Sequence, residues 1–197
     1  MVKELDCRKQ WCPQPIIDTK KALEAGNNDL MVIVDNIASR DNLRRFASSQ
    51  GHKVEIEDMG DGIYHLHIAR NPDAPIQPTE AVAAPSNGAV VFITTDKLGE
   101  GDERLGSILM KAFLNTLHDS EPKPAMVLFI NNGVRLTVEG SEMLDSLEAL
   151  AGDGVQIMSC GTCLTYYDIV GKLKVGIIGN MYDIVNALLE ASKVIKI

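Results

Sequence analysis

Trp11-Cys12-Pro13-Gln14-Pro15 sets a cysteine directly before two prolines that open a helical pattern. Proline at the first helical position costs nothing, because its missing N–H would have no intrahelical partner there. Pro15 falls in the same first turn, whose N–H groups also lack partners. The spacing predicts Cys12 as the residue capping a helix N-terminus, with Pro13 as its first helical residue. The positive end of the helix dipole favours a thiolate there over a thiol. A thiolate is the form that attacks, carries sulfur or binds metal. A cysteine can also be an inert apolar residue in a turn, but the cap and the two prolines favour the reactive reading.

Working outward, residues 2–7 form a short strand, and the helix after Cys12 carries Ile16, Ile17, Leu23 and Ala25, with Gly26 as its stop. Leu30-Met31-Val32-Ile33-Val34 is a dense apolar strand. Ser39 is a plausible cap for a second helix bearing Leu43, Phe46 and Ala47 and ending at Gly51. Lys53 to Asp58 alternates, with Val54 and Ile56 on the buried side; Met59-Gly60-Asp61-Gly62 reads as a hairpin turn. Ile63 to Ala69 alternates again, with Tyr64, Leu66 and Ile68 inward. This βαβαββ order predicts a two-layer α+β sandwich over residues 1–70, two helices on one face of four strands. His65 and His67 share the outward face of the last strand, opposite Glu55 and Glu57. That set reads as a solvated face with cross-strand charge pairs, and no metal site is expected.

The segment Leu5-Asp6, Cys12-Pro13-Gln14-Pro15 and Lys20-Lys21-Ala22-Leu23 resembles the CPxP signature of the TusA/SirA family, as does the stretch from Ser39 to Phe46. The resemblance spans roughly residues 2–70. It implies a sulfur-relay protein whose CPxP cysteine, Cys12 here, accepts sulfane sulfur as a persulfide and passes it on. The family usually has a glycine shortly before that cysteine, whereas here Arg8-Lys9-Gln10-Trp11 leads to it.

Residues 71–88 read as a linker holding Pro72, Pro75, Pro78 and Pro85, half of the chain's 8 prolines. Extended at about 3.1 Å per residue, it spans on the order of 50 Å. From 89 to 197 apolar strands alternate with helices, which predicts a doubly wound, mostly parallel α/β domain and an α/β chain overall. Its strands are Ala89–Thr95, Ala125–Ile130, Val155–Ser159 and Val175–Ile178, with a last short one at Val194–Ile197. Helices are expected over Asp102–His118, with Leu105, Ile108, Leu109, Ala112, Phe113 and Leu117 as its apolar face, over Ser141–Leu150 and Leu164–Val170, and from Asn180 to about Ser192.

Two loops of this half could carry chemistry. Asp96 to Gly106, with Gly99 and Gly101, follows a strand and precedes a helix, yet lacks both the Lys-Ser/Thr of a P-loop and the GxGxxG spacing. Its carboxylates would repel phosphate, so it reads as a loop shaping a cleft. Cys160-Gly161-Thr162-Cys163 follows a strand at the edge where open α/β sheets place ligands. Gly161 is expected to permit a tight turn, and Cys163 to fall in the first turn of the next helix. Such a pair can hold two thiols, a reducible disulfide or half a zinc site, or be buried and inert; a sulfur-accepting or redox pair is the favoured reading. Thr95-Asp96, Gly101 to Gly106 and the Cys-Gly-Thr-Cys loop make this half similar to the DsrE/DsrF-like sulfur-transfer family. The fusion as a whole resembles a family of sulfurtransferase-like selenium metabolism proteins, which implies sulfur or selenium as cargo.

Composition narrows the class. A net charge of −8 argues against a nucleic-acid partner held through phosphates. No apolar run reaches a membrane span, and residues 1–6 do not suit a signal peptide, so a cytoplasmic protein is expected. Four cysteines then point to reactive or metal-binding thiols before structural disulfides. The combined reading is a relay in which Cys12 accepts sulfur or selenium from a donor such as a cysteine desulfurase. It passes the atom to Cys160 or Cys163, or to an outside acceptor protein. No cofactor and no general base are assigned, since no histidine adjoins the three cysteines. The alternatives are a dithiol–disulfide oxidoreductase centred on Cys160 and Cys163, and a non-catalytic adaptor for a desulfurase. DsrE-like relatives commonly assemble, which implies a homo-oligomer.

Overall fold

A computed structural model describes residues 2–71 and 88–197; most of the expected 71–88 linker lies outside the described residues. The chain divides into two compact units, taken in turn.

In the first unit β1 (Lys3–Asp6), α1 (Gln14–Glu24), β2 (Asp29–Val34), α2 (Ile37–Ser49), β3 (His52–Gly60) and β4 (Ile63–Arg70) follow the expected βαβαββ order. The sheet runs β1-β2-β4-β3, with β1 parallel to β2 and the other pairs antiparallel. Val32, Leu66 and Ile68 on the strands meet Ile16, Leu43, Phe46 and Ala47 on the helices in one buried core. Tyr64, Leu66 and Ile68 do point inward. Ile56 does not: it is exposed on β3, an edge strand. His67 Nε2 lies 3.7 Å from Glu57 Oε2, a cross-strand pair on an exposed face. Two caps differ from expectation. Asn36 caps α2, its Oδ1 accepting from the Ser39 N–H at 2.8 Å, so Ser39 is a first-turn residue. Pro13, with a non-helical φ of −99°, caps α1 and its carbonyl accepts from the Ile16 and Ile17 N–H groups. Cys12 therefore stands one residue outside the helix, and Pro15 occupies its first turn.

The second unit holds β5 (Ala89–Ile93), α3 (Glu103–Asp119), β6 (Met126–Phe129), a 3₁₀ segment (Asn131–Thr137), α4 (Leu144–Gly152), β7 (Gln156–Cys160), α5 (Gly161–Tyr166), a 3₁₀ turn (Val170–Lys172), β8 (Ile177–Gly179), α6 (Met181–Glu190) and β9 (Lys193–Lys196). All five strands are parallel, in the order β8-β7-β6-β5-β9. The chain steps outward from β5 to β8 and then returns to place β9 on the far side of β5, the reversal that makes the sheet doubly wound. The α/β class with its mixed first sheet and parallel second sheet is as the sequence predicts.

The face of α3 is not. Gly106, Met110 and Leu114 are its buried positions, while Leu105, Ile108 and Leu109 are 53%, 58% and 40% exposed. This helix carries two apolar stripes, and periodicity alone does not say which one meets the sheet.

Candidate functional site

The parallel start of the first sheet brings the Cys12 loop and α2 to one end of β2. Cys7 N–H bonds to the Ile33 carbonyl at 2.9 Å as β1 ends. Arg8 then folds back on Asp6 through two side-chain hydrogen bonds of 2.9 and 2.6 Å, which hold the Asp6 carboxyl down at about 2. Lys9 takes a left-handed conformation, φ 61°, and its N–H bonds to Asp35 Oδ2 at 2.8 Å. A left-handed turn is where glycine is most at ease, so the Asp35 bond holds a shape this sequence builds without one. Asp35 also accepts from the Asn36 side chain at 3.2 Å, so two adjacent residues anchor both the cysteine loop and the start of α2.

Cys12 is half-buried, and Asn42 of α2 donates its Nδ2–H to Cys12 Sγ at 3.7 Å. Asn42 is only 1% exposed. Its Oδ1 accepts from the Arg45 guanidinium at 2.7 Å, one turn along the same helix. That bond fixes which end of the amide faces the sulfur, because a guanidinium has only donors to offer. Trp11, next to Cys12 in the chain, is 89% exposed. Cys7 is different: it is buried in the core, and burial, with Asp18 and Asp6 nearby, pushes its thiol up to about 11.

In the second unit every strand presents its carboxyl end at one edge, and the Cys-Gly-Thr-Cys loop stands there at the end of β7. Cys160 is buried and caps α5; Cys163 is half-buried, three residues into the helix. None of the four residues has a positive φ: Gly161 is a buried first helical residue and Thr162 the second, so helix onset and not a left-handed glycine makes the turn. Cys163 hydrogen-bonds the Cys160 thiol, and together with burial this pushes Cys160 well above the ordinary cysteine value. Cys163 Sγ also accepts the Asn131 backbone N–H at 3.2 Å.

Asn131 opens the 3₁₀ segment after β6 with a left-handed φ of 49°. Its Oδ1 accepts from the Tyr167 hydroxyl at 2.8 Å, and Arg135 stacks 4.4 Å over the Tyr167 ring. Beneath it, Gly133 lies so close to β5 that a Cβ there would stand 2.7 Å from the Ile93 carbonyl oxygen. Ser159 and Thr137, both fully buried, share a 2.8 Å hydrogen bond that ties the end of β7 to the same segment. Asp96 and Gly101 share this carboxyl edge through the β5–α3 loop, with β6 between their strand and that of the cysteines. Gly101 has φ 150° and open space around it, and Asp102 caps α3 through the Leu105 N–H at 2.8 Å.

Residues 3–70 match the family described as sulfurtransferase TusA. Over 71 residues the chain is 32% identical to the putative sulfur carrier protein MJ0990 of Methanocaldococcus jannaschii, covering 35% of this chain and 95% of that protein. This chain belongs to the TusA family. A solved SirA-like protein of Desulfitobacterium hafniense is 35% identical and covers 35% of this chain and 96% of its own, with a TM-score of 0.32. The ychN protein of E. coli is 18% identical over 56% of this chain and 99% of its own, with a TM-score of 0.45.

In the TusA domain the sequence points to Cys12, Pro13 and Pro15 but not to Asn42 or Arg45. The three-residue spacing of Asn42 and Arg45 on one helix was visible; their aim at a sulfur thirty residues earlier was not. Beyond the TusA domain, Asn131 and Tyr167 were likewise missed. The structure brings Cys160 and Cys163 together, as their spacing suggests. Among the described residues no cluster of three or more His, Cys, Asp or Glu could hold a metal, and no helix is long and apolar enough to cross a membrane.

Proposed function

We propose that this chain is a sulfur relay protein in which Cys12 accepts sulfane sulfur as a persulfide and hands it on. The observation that carries this is the Asn42 amide, oriented by Arg45 and directed at a half-buried Cys12 sulfur inside a TusA-family domain. The sulfur-carrier name of the archaeal relative supports it. The donor is a cysteine desulfurase or another persulfide-bearing protein. The acceptor is the Cys160–Cys163 pair or a separate protein.

Residues 89–197 we assign to a DsrE/DsrF-like domain joined through the 71–88 linker, as in sulfurtransferase-like selenium metabolism proteins of the YedF type, with selenium as an alternative cargo. The exposed Leu105, Ile108 and Leu109 support self-assembly. The hydrogen bond between Cys160 and Cys163 also supports a second reading, a dithiol–disulfide oxidoreductase.

Peptide mass spectrometry after incubation with a cysteine desulfurase and cysteine decides between them, comparing wild type with Cys12→Ser and Cys160→Ser/Cys163→Ser. The relay requires added sulfur on Cys12, and with the Cys160–Cys163 pair as acceptor that sulfur reaches the second unit only when its cysteines are present. A chain unmodified at Cys12 whose Cys160 and Cys163 cycle as a disulfide refutes the relay and establishes the oxidoreductase.

A further inference from the structure

We infer that the two cysteines of the Cys-Gly-Thr-Cys loop have unequal roles: Cys163 bears the transferred sulfur, and Cys160 is the resolving thiol, with Asn131 and Tyr167 as positioning residues. This rests on the sulfur-relay reading of the chain. Three observations carry it. Cys160 is 1% exposed and hydrogen-bonded to Cys163, which is only half-buried, so an incoming persulfide meets Cys163 first. The Asn131 N–H is aimed at Cys163 Sγ, 3.2 Å away, and supplies a fixed donor to negative charge on that sulfur. Finally, Tyr167 holds the Asn131 side chain at 2.8 Å and is itself covered by Arg135 at 4.4 Å, which keeps a left-handed residue in place.

The chemistry balances without a cofactor. Cys163 thiolate attacks the terminal sulfur of a donor persulfide R–S–SH. The S–S bond of the donor breaks, R–S⁻ leaves, and Cys163–S–SH forms. Cys160 then attacks the inner sulfur of that persulfide, a Cys160–Cys163 disulfide forms, and the departing sulfide takes up the Cys160 proton to leave as H₂S. The sulfane sulfur is reduced and the two cysteines are oxidised. A dithiol reductant restores the pair.

Two measurements on the full chain test this. In the first, iodoacetamide alkylation followed by peptide mapping should modify Cys163 at least about tenfold faster than Cys160, since thiolate and exposure set the rate. Equal rates, or a faster Cys160, overturn the inference whatever the relay does. Tyr167→Phe should slow Cys163 by about threefold to tenfold, the worth of one hydrogen bond, and leave Cys12 alkylation unchanged. Unchanged Cys163 reactivity removes Tyr167 and Asn131 from the assignment.

In the second, inorganic polysulfide is added to Cys160→Ala and Cys163→Ala variants. Cys160→Ala should accumulate a stable Cys163 persulfide, while Cys163→Ala carries none on Cys160 and releases no H₂S. Persulfide on Cys160 in the second variant reverses the roles, and loading of neither refutes them. The relay reading fails on a different result, the absence of desulfurase-driven loading at Cys12.

Discussion

Asn42→Ala removes a side-chain donor to the Cys12 sulfur, and the structure sets the size of the effect. A hydrogen bond to a charged group contributes roughly 1.5–3 kcal/mol. At 3.7 Å this bond belongs at the weaker end, and about 1.4 kcal/mol is a tenfold change in rate. Persulfide transfer from a desulfurase to Cys12 should therefore slow about tenfold. The same substitution takes from Arg45 the acceptor it holds at 2.7 Å, so a stability loss of about 1–3 kcal/mol accompanies it. Asn42→Asp separates the two effects. It keeps an acceptor for Arg45, and with it most of the stability, but sets a carboxylate and no N–H against a sulfur that must carry negative charge to attack. Transfer should fall further in Asn42→Asp than in Asn42→Ala, while urea unfolding shows the opposite order of damage. The assay is single-turnover loading of Cys12, read by intact mass under conditions where both variants are folded. Loading at the wild-type rate in both variants would refute the role given to Asn42.

Other perturbations test the two scaffolds. The buried Cys7 thiol is raised from 9.0 to about 11, so above pH 9 the unfolded chain sheds a proton that the folded chain keeps. Stability should fall between pH 9 and 11 by at most about 3 kcal/mol, and Cys7→Ala should remove that part of the alkaline slope in urea titrations followed by circular dichroism. Gly133→Ala should cost about 1–3 kcal/mol, because the new methyl meets a backbone carbonyl that cannot rotate away. As Gly133 sits in the segment that supplies the Asn131 donor, Cys163 alkylation should slow in that variant and Cys12 loading should not. Lys9→Gly should hold or gain up to about 1 kcal/mol, and Lys9→Val should lose about 1–3 kcal/mol, as thermal melts would show, because only the first suits φ 61°.

Much of the architecture was legible because burial writes itself into short-range pattern. Leu30 to Val34 reads as a covered strand, and Tyr64, Leu66 and Ile68 as one face of another, because the sheet leaves them no other place to go. Elements went wrong where two neighbours could do the same job. Asn36 and Ser39 are both good caps, and which one caps depends on where β2 ends and on the Asp35 bond that holds the loop beside it. Cys12 and Pro13 both stand before the helix, and the Pro13 carbonyl takes the first intrahelical bonds, so the cap falls one residue later than the proline rule suggests. On α3 the apolar residues form two stripes, and their pattern alone does not tell the exposed stripe from the buried one.

The candidate sites divide along the same line, and the division bears on what each can do. The candidate cysteines are legible because proline and cysteine spacing is local information. Their donors are not, because Asn42 and Asn131 lie 30 and 32 residues from the sulfurs they serve. Those donors show two different constructions. Cys12 is served by a side-chain amide, and the other cysteine of its unit is buried with a raised thiol, so a persulfide on Cys12 has no reactive thiol within that unit to resolve it. Such a site suits carriage: sulfur arrives and leaves in the same oxidation state. Cys163 is served by a backbone N–H and stands against a second, buried thiol held above the ordinary cysteine value, an arrangement that would reduce a sulfur placed on it under the proposed roles. If the chain only moved sulfur, one cysteine of the first kind would suffice. Under the roles proposed above, the pair gives it a means to release sulfur as sulfide, and H₂S yield in Cys160→Ala against wild type is the quantity that separates carriage from release.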